Sequence, residues 1–210
     1  MSQVLATLQQ RYPDLTPIAG DVQAAYDVLA ASFRAGGTLL TCGNGGSAAD
    51  SDHIVGELMK GFELKRPIDA ALRERLLREN PDAGAYLADK LQGALPAIAL
   101  TSNTVLMTAI TNDTAGDMVF AQQVLGYGRP GDVLLGISTS GNSANVLNAL
   151  RVARALDVRT IGLTGASGGA MRDLCDVTIC APSDRTLEIQ ERHLAIYHAL
   201  CIMLELEFFG

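Results

Sequence analysis

Five short apolar runs, separated by stretches of helical character, are the feature that most limits the fold of this 210-residue chain. The runs occupy 38–42, 97–100, 133–137, 160–163 and 177–180. Apolar runs of this length are typical of strands that are buried on both faces. Strands that alternate with helices form parallel sheets through right-handed crossovers, with helices on both faces. The pattern therefore predicts an α/β fold with a parallel sheet, in a single domain over residues 1–210.

The stretches between the runs predict the helices. Two precede the first strand, at 4–11 and 18–35, and two later ones are expected at 143–156 and 187–207. The segment 66–94 is charged, rich in Arg, Leu and Ala, and interrupted at Asn80-Pro81. It is longer than the usual connection in a compact α/β fold. We expect an inserted helical segment there, either a solvated surface excursion or an element near the functional site.

Composition excludes several classes of partner. The net charge of −7 argues against a surface that binds nucleic acid or an anionic membrane, because either needs a basic patch. No apolar run reaches the roughly 20 residues that a membrane span requires. The four cysteines lack paired metal-ligand spacing, and the N-terminus lacks the pattern of a signal peptide. These observations predict a cytoplasmic protein with reduced thiols.

A glycine-rich loop follows the first strand, with the sequence Cys42-Gly-Asn-Gly-Gly-Ser47. Glycines let backbone N–H groups approach an anion closely, and the N-terminus of the following helix stabilises negative charge. Ser47 is the predicted N-cap of that helix. The loop is therefore a candidate phosphate-binding element.

A second polar loop follows the third strand and precedes a helix. It contains Ser138, Thr139, Ser140 and Ser143 around Gly141. Several hydroxyl donors at a helix N-terminus suit a phosphate monoester better than an ordinary turn would require. The chain has neither a Gly-x-x-x-x-Gly-Lys-Ser/Thr run nor Gly-x-Gly-x-x-Gly, which argues against a nucleoside triphosphatase and against a dinucleotide-binding protein.

Acid–base and metal-binding side chains lie on two predicted helices. His53 and Glu57 are four residues apart and share one helix face, while Gln190 and His198 share a side of the C-terminal helix. Two imidazoles, a carboxylate and an amide oxygen can complete a metal site. Spacing alone leaves open whether each histidine is a ligand or a hydrogen-bonded structural residue. His193 is predicted to have a structural or supporting role.

These motifs together resemble the sugar isomerase (SIS) domain family and, within it, the phosphoheptose isomerases. The resemblance covers nearly the whole chain outside 67–93. The matching motifs are 42–47, His53-x-x-x-Glu57, Asn112-Asp113, 131–143, and Ile189-Gln-Glu191 with His198. It implies a flavodoxin-like three-layer sandwich with a five-stranded parallel sheet, N-terminal helices, and a homotetramer whose sites lie at subunit interfaces. Without the resemblance, Asn112-Asp113 would be read as a turn or a helix cap.

The resemblance also implies a reaction and the residues that perform it. The reaction is conversion of D-sedoheptulose 7-phosphate to D-glycero-D-manno-heptose 7-phosphate, an aldose–ketose isomerisation through an enediol. Glu57 is the expected base, and His198 transfers a proton on the opposite side; the reverse order of action stays open. The resemblance implies that the phosphate is bound by Ser138, Thr139, Ser140 and Ser143. It implies that the sugar is bound by Asn44, Gly45, Gly46, Ser47, Glu57, Asn112, Asp113 and Gln190. One zinc ion per subunit would be bound by His53, Glu57, Gln190 and His198.

Two alternatives stay open from the sequence. The chain could isomerise another sugar phosphate, since Lys60-Gly61-Phe62 and Leu187-Glu188 differ from the pattern usual in phosphoheptose isomerases and the 66–94 segment could select another chain length. It could instead be a non-catalytic SIS protein that binds a phosphosugar or a replication initiator. Such relatives tend to lose the acid and the base, and both Glu57 and His198 are present here.

Overall fold

The computed structural model describes residues 2–210. Ten α-helices, five strands and two short 3-10 helices make up the described chain. In chain order, the elements are α1 (Ser2–Arg11), a 3-10 helix (Pro13–Ile18), α2 (Ala19–Arg34), β1 (Leu39–Gly43), α3 (Gly46–Met59), α4 (Ala70–Glu79), α5 (Gly84–Lys90), β2 (Ala97–Ala99), α6 (Thr104–Asp113), a 3-10 helix (Gly116–Met118), α7 (Val119–Tyr127), β3 (Val133–Ser138), α8 (Ala144–Ala155), β4 (Arg159–Thr164), α9 (Met171–Leu174), β5 (Val177–Cys180) and α10 (Thr186–Phe209).

The five strands form one parallel sheet, so the predicted fold class is confirmed. Their order is β2-β1-β3-β4-β5, which is the flavodoxin-like arrangement. Leu39 of β1 pairs with Ala97 of β2 on one side and with Val133 of β3 on the other. The chain therefore leaves β1 in one direction and later returns to its opposite side. This topological switch between β1 and β3 opens a crevice at the carboxyl ends of the two strands.

A hydrophobic core lies on each face of the sheet, where the strands pack against the helices. On one face, Leu39, Val133 and Ile161 pack with helices α1, α2, α3 and α10. On the other face, Leu40 and Leu134 pack with helices α6 to α9. Alternate residues of each strand thus enter opposite cores, which explains why the strands are apolar throughout.

One region differs in detail from the sequence-based expectation, whereas 66–94 contains helices as expected. The second helix does not begin at residue 18, because a 3-10 helix starting at Pro13 occupies 13–18 and α2 begins at Ala19. Within 66–94, α4 and α5 pack against each other as a hairpin. Pro67 and Gln92 form an antiparallel bridge where the hairpin joins the body of the protein.

The described chain also bears on the thiols and on membrane insertion. All four cysteines are free, and Cys42 and Cys201 are buried. Burial raises the pKa of Cys201 to about 12, so that thiol stays protonated. None of the helices in residues 2–210 combines the length and the apolar character that crossing a bilayer requires.

Candidate active site

The glycine loop turns the chain from β1 directly into α3. Gly45 has φ +56°, a left-handed conformation that favours glycine, and it is the N-cap residue. Ser47 was predicted as the N-cap, and this is wrong: Gly45 holds that position, and Ser47 is the second residue of α3. The tight turn at Gly45 starts the helix earlier than a serine cap would. The Ser47 amide instead donates to the Asn44 carbonyl, at 3.0 Å.

Two asparagines join the glycine loop to the start of α8 across the crevice. Asn44 Nδ2 donates to Asn145 Oδ1 at 2.9 Å, and Asn145 Nδ2 donates to Asn44 Oδ1 at 2.8 Å. Asn145 Oδ1 also accepts from the Val146 amide, at 3.0 Å. The pair sets the distance between the two loops that flank the switch point. Sequence reasoning identified Asn44 but missed Asn145.

The serine loop gathers its hydroxyl groups at the N-terminus of α8. Ser138 Oγ lies 2.9 Å from Ser143 Oγ and 3.5 Å from Ser140 Oγ. Ser143 is the N-cap residue, but its side chain makes no cap hydrogen bond. Its hydroxyl group faces Ser138 instead. The clustered hydroxyls therefore lie at the N-terminus of α8, which is the positive end of the helix dipole. The Thr139 carbonyl accepts from the Gly165 amide at 3.1 Å, which anchors the middle of the loop.

The loop 165–170, to which no chemistry was assigned, supports the serine loop. Asn142 Oδ1 accepts from the Ala170 amide at 2.9 Å, and the Met171 amide donates to the Gly141 carbonyl at 3.1 Å. Gly141 has φ +66°, and a Cβ there would overlap the Gly168 carbonyl. Two glycines in contact across the loops therefore let the backbones approach closely.

A cluster of imidazole and carboxylate groups lies farther along α3 and α10. His53 Nε2 lies 3.1 Å from Glu57 Oε1 and 3.5 Å from His198 Nε2. Lys60 Nζ donates to Glu57 Oε2 at 3.2 Å, and the Phe62 ring centroid lies 5.3 Å from that of His198. The structure thus brings the predicted catalytic pair, Glu57 and His198, to the same nitrogen of His53.

Two residues that sequence reasoning missed orient His53. Tyr197 Oη lies 3.0 Å from His53 Nδ1 and donates to Asp50 Oδ1 at 3.2 Å. Because the hydroxyl proton goes to Asp50, Nδ1 of His53 donates to Tyr197. In the neutral ring, Nε2 then carries the lone pair, and it faces Glu57 and His198. Burial, then the Asp50 carboxylate, raises the pKa of Tyr197 above its ordinary value. Burial, then repulsion by His53, lowers the pKa of His198, which favours its neutral form.

Gln190 lies apart from this cluster. A Cβ added to Gly46 would overlap the Gln190 side-chain amide, so Gln190 rests on the glycine loop. Gln190 and His198 are separated by about 12 Å along the axis of α10. Within one chain, three of the four predicted zinc ligands therefore come together, and the fourth is beside the residues predicted to bind the sugar.

The remaining predicted residues have mostly local contacts. Asn112 and Asp113 are exposed at the end of α6, and Asn112 Nδ2 donates to Asp113 Oδ1 at 2.8 Å. Among the described residues, no side-chain hydrogen bond joins this pair to either loop or to the imidazole cluster. His193 is fully buried, and its Nε2 lies 3.2 Å from the Thr164 carbonyl oxygen. It supports the end of β4 and does not face the cluster.

A buried ion pair lies at the C-terminal end of α3, next to Glu57. Arg66 Nε donates to Glu205 Oε1 at 2.7 Å, and its other two nitrogens donate to the carbonyls of Leu58 and Glu57, at 2.8 and 3.0 Å. The side chains of Arg66 and Glu205 are 0% and 1% exposed. Sequence reasoning missed this pair. Its only signal was the acidic Glu205 directly after the apolar run 199–204 of α10.

The cluster has the donor atoms of a metal site without forming a complete one. In the part of the chain that the structure describes, no group of three or more His, Cys, Asp and Glu side chains is arranged as a metal centre. Two nitrogen ligands of one tetrahedral zinc ion lie about 3.3 Å apart, since each is about 2.0 Å from the metal. The 3.1 and 3.5 Å distances around His53 Nε2 are close to this value. Lone pairs converge there, and they repel one another unless a proton or a cation lies between them.

Comparison with known proteins identifies similar sequences along the chain. The family model described as SIS domain matches residues 5–83 and 80–165. The phosphoheptose isomerase of Akkermansia muciniphila is 38% identical over 209 residues, covering 100% of this chain and 96% of that protein. That of Rhodospirillum rubrum is 45% identical over 184 residues, covering 88% of this chain and 84% of that protein.

Solved structures agree with these sequence matches. Phosphoheptose isomerase from Francisella tularensis superposes with a TM-score of 0.77 at 31% identity and covers 98% of this chain and 95% of that one. The enzyme from Neisseria gonorrhoeae superposes with a TM-score of 0.73 at 34% identity, covering 97% and 94%. Both the layer arrangement and the chain length are therefore shared.

Proposed function

The chain belongs to the SIS domain family, among its phosphoheptose isomerases, and we propose that it carries out their reaction with Glu57 and His198 as the proton-transferring pair. The reaction is the aldose–ketose isomerisation of D-sedoheptulose 7-phosphate to D-glycero-D-manno-heptose 7-phosphate. The observation that carries the proposal is the approach of both Glu57 Oε1 and His198 Nε2 to His53 Nε2, at 3.1 and 3.5 Å. A non-catalytic relative would not need a carboxylate and a neutral imidazole gathered in this way.

The reaction moves two hydrogens and leaves the oxidation state of the sugar unchanged overall. Glu57 removes a proton from C1 of the ketose, the C–H electrons form the C1=C2 bond of the enediol, and the C2 oxygen takes up a proton. A proton then returns to C2, the C1 hydroxyl loses its own, and the aldehyde forms. His198 moves the oxygen-bound protons, since the lowered pKa of its imidazole leaves a lone pair to accept one.

The two loops supply the binding energy for the phosphosugar. We assign the phosphate to the hydroxyls of Ser138, Thr139, Ser140 and Ser143, where the N-terminus of α8 adds positive potential. The sugar hydroxyls are assigned to the glycine loop with Asn44 and to Gln190, which rests on Gly46. Asn112 and Asp113 are assigned to the sugar by resemblance.

Zinc fits the donor set around His53. We propose that His53, Glu57 and His198 hold one zinc ion per subunit. Gln190, the fourth ligand that the resemblance implies, lies about 12 Å from His198 along α10 within one chain, so a Gln190 from a neighbouring subunit would complete the set. When bound, zinc would polarise the sugar oxygens and stabilise the charge of the enediol. The support is the hydrogen-bond chain Asp50–Tyr197–His53, because ligating histidines are usually oriented by such a partner on the other ring nitrogen.

We further propose a homotetramer with sites shared between subunits. The separation between Gln190 and the imidazole cluster supports this, since a neighbouring subunit could supply groups that one chain does not gather. Residues 1–210 would work as a single SIS domain with 66–94 as an inserted segment. The cytoplasmic location stays a prediction from the sequence.

The test is the Glu57→Gln variant with sedoheptulose 7-phosphate as substrate, followed by NMR with and without added zinc. Loss of the base should lower kcat by at least about 100-fold. Calorimetric binding of sedoheptulose 7-phosphate should be retained, because the serine loop is untouched. Glu79→Gln, at an exposed position on α4, is the matched control. Full turnover by Glu57→Gln would refute the assignment of the base.

A further inference from the structure

The buried Arg66–Glu205 pair is connected to both proposed catalytic residues through the backbone and α10. Arg66 reaches the last turns of α3, where it donates to the carbonyls of Glu57 and Leu58. Helix carbonyls near the C-terminus lack helical partners, and a guanidinium that binds them fixes the end of the helix. The backbone of the catalytic carboxylate is therefore held by a side chain 0% exposed to solvent.

Glu205 holds the segment that follows α3. Its carboxylate accepts three successive amides, those of Phe62 at 2.8 Å, Glu63 at 2.8 Å and Leu64 at 3.1 Å. Burial raises the pKa of Glu205, but the amides of Phe62 and Glu63 and the Arg66 guanidinium lower it more, so its pKa is below its ordinary value. The charged carboxylate keeps Phe62 in place.

Phe62 in turn contacts the other half of the site. Its ring lies against His198, and Glu205 is on the same helix as His198, two turns farther on. Glu57 and His198 are thus connected by one continuous set of contacts through Arg66, Glu205 and Phe62, of which Arg66 and Glu205 are buried. No atom of Arg66 or Glu205 needs to touch the substrate for the pair to influence the reaction.

We propose that Arg66 and Glu205 are positioning residues of the isomerase, which fix the Glu57 carboxylate relative to the His198 imidazole. The proposal rests on the function assigned above. A displacement of about 1 Å between reacting groups can lower a rate by about 100-fold while substrate binding persists. The phosphate and sugar loops lie at the other end of α3, so disturbance of the pair should change kcat and leave KM nearly unchanged.

The main variant is Arg66→Lys. Lysine keeps a cation beside Glu205, so no buried charge is left unpaired. A single ammonium group, however, cannot replace a planar guanidinium that donates hydrogen bonds to three partners. We expect kcat per folded enzyme to fall by about 10- to 100-fold, with KM for sedoheptulose 7-phosphate within about threefold of the parent. The folded fraction is measured by circular dichroism in the assay buffer.

The control separates positioning from stability. Val124→Ala opens a cavity in the core on the opposite face of the sheet, where Val124 is 0% exposed. It should lower the melting temperature while kcat per folded enzyme stays at the parental value. If Arg66→Lys does not fold, the same kinetic comparison uses Arg66→Met/Glu205→Met, which removes both charges together.

A folded Arg66→Lys or double variant with kcat within twofold of the parent would overturn the proposal. So would a loss of activity that appears entirely as a higher KM. Activity of the parent and of Glu57→Gln is measured in parallel. An inactive parent counts against the function itself, whereas an active parent with an equally active Arg66→Lys counts only against the positioning role.

Discussion

His193 links the stability of the fold to pH through a buried neutral imidazole. Its Nε2 donates to the Thr164 carbonyl, and its Nδ1 is buried without a hydrogen-bond partner among the described residues. Protonation of Nδ1 would bury a charge with no anion beside it. Burial therefore lowers the pKa of His193 to about 4, and the bond to Thr164 offsets only part of this effect.

The sign and size of the effect follow from proton linkage. The unfolded chain protonates this imidazole near pH 6.5, and the folded protein does so near pH 4. Between these values the unfolded state binds more protons, so the stabilisation is complete above the upper value and is lost as pH falls. Between pH 7 and pH 4.5 this single group lowers the free energy of unfolding by about 2.5 kcal/mol.

The perturbation is His193→Gln, which keeps an amide donor for Thr164 and cannot titrate. The assay is urea unfolding at a fixed protein concentration, repeated from pH 7 to pH 4.5. We expect the variant to lose about 2.5 kcal/mol less than the parent over this range. The comparison uses the change in the free energy of unfolding with pH for each protein, because the substitution also shifts that free energy by a constant amount at every pH. Parallel pH dependences for parent and variant would refute the reasoning.

Two further results are expected at the site. Tyr197→Phe removes the hydroxyl that binds His53 Nδ1, so zinc affinity measured by chelator competition should fall by about 10- to 100-fold; an unchanged affinity would argue against zinc at this cluster. Gly46→Ala adds a Cβ that displaces the Gln190 side chain, so we expect a higher KM for sedoheptulose 7-phosphate and a nearly unchanged melting temperature, since that side chain is flexible. A variant whose KM equals that of the parent would contradict the sugar contact assigned to Gln190.

The sheet could be predicted from the sequence because each strand is specified by a short apolar run of neighbouring residues. All five apolar runs coincide with strands to within one or two residues, and the polar loops that follow β1 and β3 flank the switch point. Burial on both faces makes such strands apolar throughout, and this pattern is visible without any tertiary contact. The error at Ser47 has a local cause too, since the left-handed Gly45 starts α3 before the serine.

The supporting contacts could not be predicted, because they join residues far apart in the sequence. Tyr197 orients His53 across 144 positions, and Arg66 meets Glu205 across 139. Nothing in the local pattern distinguishes Tyr197 from a core aromatic residue or Arg66 from the neighbouring Lys65. Only the packing of α10 against α3 turns them into partners of the site.

The same packing explains why the site spreads over the length of α3. Gly46 meets Gln190 near the start of that helix, and His53 meets His198 two turns later, so α3 and α10 run side by side in the same direction. A phosphosugar bound between the loops and the imidazole cluster would extend along this pair of helices. In the proposed function, the phosphate would bind where the serine hydroxyls converge, and proton transfer would take place near the end of α3 where Arg66 binds the Glu57 carbonyl. Binding and proton transfer would then depend on different ends of the same helix, which is why substitutions at Gly46 and Arg66 should separate KM from kcat.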